Sequence, residues 1–336
     1  MPWNKASGIT WKAGIGTARL RISGSKTAAI GSIASAFDSH TWPEVVLGEF
    51  EFPTIGHVWL AQQERGAEVE FVRAEGDTIP FSAYERSIDR PTRIVGVTHI
   101  CFSNGYRSPV REIVEKAHRE GAWFLMDDYQ DCGTRPIDVR AIGVDFYVTG
   151  TLKYLLGPPR LAFLYVRKEL QDTLIPTMTG WFAQRQPFAF DVKHLDRAPT
   201  ARKFEGGSPP IPNIYAAKRS LALIEDVGRE AIAAHVASLT QYLLQGLASL
   251  GLSLKTPPTT VGPLVVIRCT AAAEMCELLA KQGIVVSSRH DGLRVSLHLY
   301  NTWKTSTLYY TKSAATAHFS MCGHELLNLT STRQRR

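Results

Sequence analysis

Between Glu44 and Val166 the chain alternates short apolar runs with amphipathic stretches, and no other feature constrains its fold as tightly. EVVLGEF, AEVEFV, RIVGVTHI, AWFLMD, VDFYVTG and LAFLYV each have the length and composition of a strand. Runs that stay apolar on both faces belong to a parallel sheet covered by helices, because alternation would appear if one face met water. Between them, TIGHVWLAQQERG, FSAYERSI and SPVREIVEKAHREG carry apolar residues at helical spacing. The last has Pro109 in its first turn and Gly121 just past its end, a helix start and stop. The expectation is an α/β fold, a mainly parallel central sheet with helices on both faces. Ligands of such sheets bind beyond the carboxyl ends of the strands.

From Gln171 to Pro212 the chain is irregular and rich in Pro, Phe and Gly. A loop of that length is functional or a linker. IYAAKRSLALIEDVGREAIAAHVASLTQYLLQGLASLG then reads as two long helices broken near Gly228. GPLVVIRC, AAEMCELLAKQG, IVVSSR and GLRVSLHLY read as a strand–helix–strand–strand unit, a small C-terminal α+β domain. The expected division is 21–212 for the large domain and 213–302 for the connecting helices and small domain, flanked by segments 1–20 and 303–336.

Composition narrows the partners. Five cysteines, an odd number without a C-x-x-C pair, point to a reducing compartment, the cytoplasm, and away from structural zinc. No apolar run approaches the roughly 18–20 residues of a membrane span. The start, MPWNKASGITWKAG, lacks the apolar core of a secretory signal. A net charge of +7 admits an anionic partner such as nucleic acid, but no stripe interleaves basic and aromatic residues. A small-molecule substrate is expected, with neither nucleic acid nor membrane as partner. Cys322 and His324 alone do not make a metal site, and no metal is expected.

Three polar groups interrupt this apolar pattern at successive strand ends. His99 ends RIVGVTH; Asp127 ends AWFLMD and is followed by Asp128 and Gln130; Lys153 follows VDFYVTGTL. Each has an ordinary explanation. A lysine can snorkel, an aspartate can close a turn or cap a helix, and a histidine can be a satisfied core group. Together, at one sheet edge, they form what covalent carbonyl chemistry needs, since a desolvated lysine is neutral part of the time and can attack a carbonyl.

MDDYQDCGTRPIDVRAIGVDFYVTGTLKYLLGPP resembles the cofactor segment of class V aminotransferase-like enzymes, fold-type I pyridoxal-phosphate (PLP) proteins that include cysteine desulfurases, kynureninase-like hydrolases and isopenicillin N epimerase-like enzymes. Asp127, Gln130, Gly133, Asp138, Asp145 and Lys153 match the pattern position by position, and the resemblance extends from about Arg21 to about Thr302. It implies the cofactor pyridoxal 5'-phosphate, with Lys153 as the Schiff-base lysine, Asp127 on the pyridine nitrogen, Gln130 on the phenolic oxygen and His99 stacked on the ring, where it joins Lys153 in the catalytic set. Arg294 would hold the substrate carboxylate by its planar fork, and Asn301 and Thr302 complete a Tyr-Asn-Thr signature. Arg289 and His290 would face the substrate side chain. FEGGS resembles a loop whose hydroxyl, here Ser208, reaches the neighbouring subunit's cofactor phosphate, so a homodimer with shared active sites is implied. Ser25, Lys26 and Thr27 occupy the phosphate turn at a helix start.

The chain departs from this pattern at several points. Leu152 stands where a histidine commonly helps hold the phosphate, leaving Thr149 and Thr151 as substitutes, and Arg160 replaces a glycine. The stretch VVSSRHDGLRVS has no cysteine where a desulfurase carries its mobile nucleophile. Transamination, epimerisation and side-chain cleavage remain open, with a desulfurase-like lyase or a non-catalytic relic of the fold as alternatives. A nucleotide-binding α/β protein is disfavoured because no phosphate-binding glycine motif follows a strand. Trp181 and Phe182 either line a pocket for a bulky side chain or pack on the body of the protein. Residues 1–20 and 303–336 look foreign to the fold, and the expectation is that they stem from altered reading frames or a truncated gene. The coding DNA tests this: family-like ends in other frames would support it, and their absence would end it.

Overall fold

The computed structural model describes residues 21–38 and 44–309. The described residues divide into two compact units, one holding residues 21–38, 44–101 and 108–232, the other holding Phe102–Arg107 and residues 233–309.

The first unit is built on a seven-stranded sheet in the order β1-β7-β6-β5-β4-β2-β3. Its strands are β1 (Arg21–Ser23), β2 (Glu44–Gly48), β3 (Glu68–Val72), β4 (Thr92–Thr98), β5 (Trp123–Asp127), β6 (Phe146–Gly150) and β7 (Ala162–Val166). The run β3-β2-β4-β5-β6 is parallel. β6 and β7 are buried along their whole length, as their uninterrupted apolar sequences require. β3 lies at the edge and alternates, with Glu68 and Glu70 outward, the pattern of a strand with one wet face. No helix separates β6 from β7, so the two pair antiparallel, and β1 adds to β7 in the same sense. β1 is too short and mixed to be anticipated from sequence.

Helices cover the sheet: α1 (Lys26–Ala34), α2 (Pro53–Leu60), α3 (Phe81–Ser87), α4 (Val110–Glu120), the single turn α5 (Val139–Ile142) and α6 (Ile211–Val227). α4 buries Val110, Ile113, Val114 and Ala117, one stripe at helical spacing, and stops at Gly121 in the left-handed region at φ 84°. The main core joins α1 to the sheet through Ala29, Ile30, Ile33, Leu47, Leu125 and Phe146. α6 lies with this unit, past the expected boundary at 212, because Ile214 and Ala217 pack on Leu161 and Ile22.

The second unit is a three-stranded antiparallel sheet, β8 (Leu264–Arg268), β10 (Gly292–Ser296) and β9 (Ser287–Ser288), packed with α8 (Ala272–Ala280) and the later part of α7 (Arg229–Ser249). The break between α6 and α7 falls at Gly228, φ 86°, as its sequence implies. The strand expected over IVVSSR is shorter than expected. Only Ser287 and Ser288 pair with β10, while Ile284 turns into the core and Val285 is 83% exposed. Residues 102–107 join this unit through Thr256 Oγ1, which donates to Asn104 O at 2.6 Å, and Arg107 N, which donates to Thr260 O at 3.2 Å. Gly105, φ 77°, passes so close to Leu264 that a Cβ would lie 2.7 Å from its carbonyl oxygen. Among the described residues no helix is long and apolar enough to cross a membrane.

In the first unit Glu205 borders a pocket of about 390 Å³ lined also by Ile22, Gly24, Ala28, Phe182 and Ser208. Its Oε1 is buried without a hydrogen-bond partner among the described residues. Burial raises its carboxyl to about 7, against the pull of Arg21 and Arg202. Folded Glu205 thus keeps a proton that the unfolded chain releases near 4.5. Its contribution to stability is present in full below that pH and is lost as pH rises to about 7, an effect of order 3 kcal/mol. Glu205→Gln should flatten this fall in urea unfolding; an unchanged pH slope would contradict it.

Candidate active site

β4, β5 and β6 end side by side, with Thr98 opposite Asp127 and Asp127 opposite Val148. His99, Asp127 and Lys153 each lie at or just past one of these ends. His99 N donates to Asp127 O at 2.8 Å and Asp128 N to Val148 O at 2.9 Å, which continues the ladder into the site. Glu51, just beyond β2, joins them by accepting Thr98 N at 2.5 Å.

Tyr129 organises the lysines. Its ring lies on the backbone of Gly150, where an added Cβ would come within 2.2 Å of the ring, so only glycine fits at the last position of β6. Lys153 Nζ stands 4.9 Å from the ring centre, and Lys26 Nζ stands 5.5 Å from the same centre. Lys26 Nζ also lies 4.8 Å from the Phe52 ring and donates to Asp127 Oδ2 at 2.5 Å. Asp127 Oδ1 accepts Tyr129 N at 3.1 Å. Asp127 is 2% exposed, so its carboxylate depends on these donors. Burial, and then the charge of Asp127, push Glu51 well above the usual carboxylate range.

A second network lies behind His99. Its Nδ1 meets Asp128 Oδ1 at 2.7 Å and its Nε2 meets Arg135 Nη2 at 2.7 Å. Arg135 Nε donates to Asp131 Oδ2 and Thr134 Oγ1 to Asp131 Oδ1, both at 2.5 Å. Tyr147 donates to Asp128 Oδ2 at 2.8 Å. Burial raises Asp128 while the bonds from His99 and Tyr147 pull it down, and burial raises the Tyr147 phenol well above its usual value. Among the described residues His99, Asp128 and Asp131 form a set able to surround a cation, and the Arg135 guanidinium already supplies that positive charge.

The remaining expected residues fall as follows. Gln130 is buried in the turn after β5. Ser25 caps α1, its side chain accepting Ala28 N at 3.0 Å; Thr27 is exposed in the first turn. Lys26, expected at the phosphate turn, is on Asp127 instead, because a lysine buried to this degree needs a counter-ion. Thr149 donates to Asp128 O at 3.3 Å, tying the end of β6 to the turn after β5, and Thr151 donates to Pro158 O at 2.6 Å, bracing the loop that carries Lys153. Ser208 is exposed beside the pocket that Gly24 and Ala28 also line. Trp181 packs on aromatic neighbours of its own loop, 4.4 Å from Phe182 and 5.9 Å from Phe190. In the second unit Arg294 lies on β10 and donates to Phe102 O at 3.1 Å. Arg289 donates to Ser288 O at 2.5 Å and is lowered by burial, and His290 is left-handed at φ 51°. Asn301 closes a turn, its Oδ1 accepting His298 N at 2.7 Å, and Thr302 N donates to Thr305 Oγ1 at 3.1 Å. The segment 1–20 and Cys322–His324 lie outside the described residues.

Sequence reasoning missed Glu51, Tyr129 and Arg135. Glu51 carries a readable signal, since it follows EVVLG at a strand's carboxyl end like the three residues that were singled out. Tyr129 and Arg135 sit within the matched cofactor segment, but nothing in their spacing indicates which atoms they touch.

A profile of the aminotransferase class-V family matches residues 22–324, beyond Thr302, where the resemblance was expected to end. YcbU, an uncharacterized aminotransferase of Bacillus subtilis, is 35% identical over 275 residues, spanning 82% of this chain and 72% of that protein. A probable cysteine desulfurase of Methanothermobacter thermautotrophicus is 28% identical over 299 residues, spanning 82% and 73%. Among solved structures, the cysteine desulfurase of Thermococcus onnurineus superposes with a TM-score of 0.78 at 19% identity, covering 88% of this chain and 78% of that one. The cystine C–S lyase C-DES superposes at 0.79 and 20% identity, covering 88% and 81%. These superpositions show the PLP fold-type I architecture. The chain belongs to the class V aminotransferase family. It is a PLP-dependent enzyme of the transferase and lyase kind.

The residues fit this cofactor on a structural observation. Asp127 is a buried carboxylate that already holds a cation, the partner a protonated ring nitrogen would replace, and Lys153 stands against the same Tyr129 ring. α1 begins beside them with first-turn N–H groups suited to an anion.

The Lys26–Asp127 pair should show a strong non-additivity. Asp127→Asn or Lys26→Met alone strands a buried charge and should cost roughly 3–5 kcal/mol in urea unfolding of the cofactor-free chain. The double variant should recover most of that loss. Simple additivity would contradict a direct pair.

Proposed function

We propose that the enzyme acts at the α-carbon of an amino acid, with transamination as its reaction, through Lys153, Asp127 and Arg294. The observation that carries the reading is the convergence of the Lys153 amine and the Asp127 carboxylate, with its bound ammonium, around one aromatic ring. PLP bound there supplies an electron sink for a bond broken at the α-carbon. Lys153 Nζ, 4.9 Å from the Tyr129 ring centre, would take the proton from the α-carbon and hand it on to the cofactor rather than back, as transamination requires. Asp127 Oδ2 holds a positively charged N–H partner, and Gln130 hydrogen-bonds the cofactor's phenolic oxygen. Arg294 takes the substrate carboxylate, for which a planar fork is suited. Ser25 and the first turn of α1, with Thr27, receive the phosphate. Ser208 serves a neighbouring subunit's site in a homodimer, and the odd cysteine complement suits the cytoplasm.

A desulfurase needs an accessible thiolate near the substrate. Burial raises Cys132, Cys269 and Cys276, and the segment preceding Arg294 contains no cysteine. Both facts favour α-carbon chemistry over sulfur transfer.

Purified protein given PLP should gain a visible absorbance band that Lys153→Ala abolishes, and amino acids with a keto-acid acceptor should yield keto-acid product. Arg294→Ala should raise KM at least about tenfold, as loss of a bidentate charged contact requires. A colourless wild type would favour a non-catalytic relic; sulfide release from cysteine would favour the lyase.

A further inference from the structure

We propose that Arg135 locks His99 in one neutral tautomer, so that His99 is a fixed, uncharged positioning group and takes no part in proton transfer. A guanidinium can only donate hydrogen bonds. Arg135 Nη2 lies 2.7 Å from His99 Nε2, so Nε2 accepts and carries no proton. The single imidazole proton is then on Nδ1, which donates to Asp128 Oδ1 at 2.7 Å. Asp128 Oδ2 accepts the Tyr147 hydroxyl at 2.8 Å, so the carboxylate accepts on both oxygens. Arg135 is held in turn by Asp131, whose other oxygen takes the Thr134 hydroxyl. The result is a continuous chain, Asp131, Arg135, His99, Asp128, Tyr147, in which every donor faces an acceptor.

The groups facing His99 balance one another. Asp128 and Asp131 favour an imidazolium, Asp131 Oδ2 lying 3.5 Å from Nδ1. Arg135 opposes it both by charge and by occupying the only ring nitrogen free to take a proton. His99 is 2% exposed, so a second ring proton would have no water to meet. Contacts on both ring nitrogens also fix the plane of the ring. This bears on the proposed function, on which the next step rests: a neutral ring stacked on the cofactor adds no positive charge to it, which leaves Asp127 to set the charge of the ring nitrogen. Lys153 is then the group that moves protons.

Long-range proton–nitrogen NMR of the full chain labelled at its ten histidines, with His99→Gln to identify the signal, tests this. In wild type, with or without added PLP, His99 should show a protonated Nδ1 and a bare Nε2 that accepts a hydrogen bond. Arg135→Met and Arg135→Gln remove the cation and leave two carboxylates facing the ring. In whichever variant folds, the Nε2 signal should shift, because the hydrogen bond it accepts from Arg135 is gone. A proton on Nε2 in wild type, or an unchanged Nε2 signal in both variants, would overturn the proposal. None of these readouts depends on cofactor uptake, so failure of the functional reading would appear separately, as a colourless wild type.

Discussion

A carboxylate that is 2% exposed at the end of a central strand must have a positive partner, and the rest of this site is arranged around that need. Asp127 takes Lys26 from the first turn of α1, and so ties that helix to the sheet. The Tyr129 amide occupies its other oxygen and brings the Tyr129 ring against Gly150. Lys153 then stands on the same ring. The carboxylate, the aromatic surface and the amine are consecutive consequences of where β5 ends.

Two charge networks result, and they are kept apart by which way adjacent aspartates face. Asp127 works with Lys26, while Asp128 works with His99 and Tyr147. Placing both carboxylates on one network would add like charges in a buried space. Glu51 shows what that costs, since the charge of Asp127 adds to burial in raising it. Arg135 and Lys26 divide the positive charge in the same way, one to each network.

Much of this could be read from the chain. The buried strands were legible because runs such as VDFYVTG are apolar without alternation, and the helix stops because Gly121 and Gly228 sit just past apolar stripes. His99, Asp127 and Lys153 were legible because polar groups at the ends of apolar strands have few structural reasons to be there. Pairing was not legible. Lys26 looked like part of a phosphate turn, since its place in the sequence records its helix position and not the reach of its side chain to Asp127. Nor do the positions of Thr149 and Thr151 in the sequence show that their hydroxyls meet the carbonyls of Asp128 and Pro158, contacts only the folded backbone creates. The strand over IVVSSR failed because an apolar run alone does not reveal that Ile284 leaves the sheet for the core. The tautomer of His99 was not legible either, because it turns on the contact of its Nε2 with Arg135, a donor-only group.

We infer that Lys153, 4.9 Å from the Tyr129 ring centre, and not Lys26, 5.5 Å from it, carries the reactive amine at this sheet edge. Reduction of the PLP-loaded full chain with borohydride, followed by peptide mass mapping, reads this directly. The phosphopyridoxyl mark should fall on Lys153 and leave Lys26 unmarked. A mark on Lys26 or on any other lysine, with Lys153 unmodified, would contradict it.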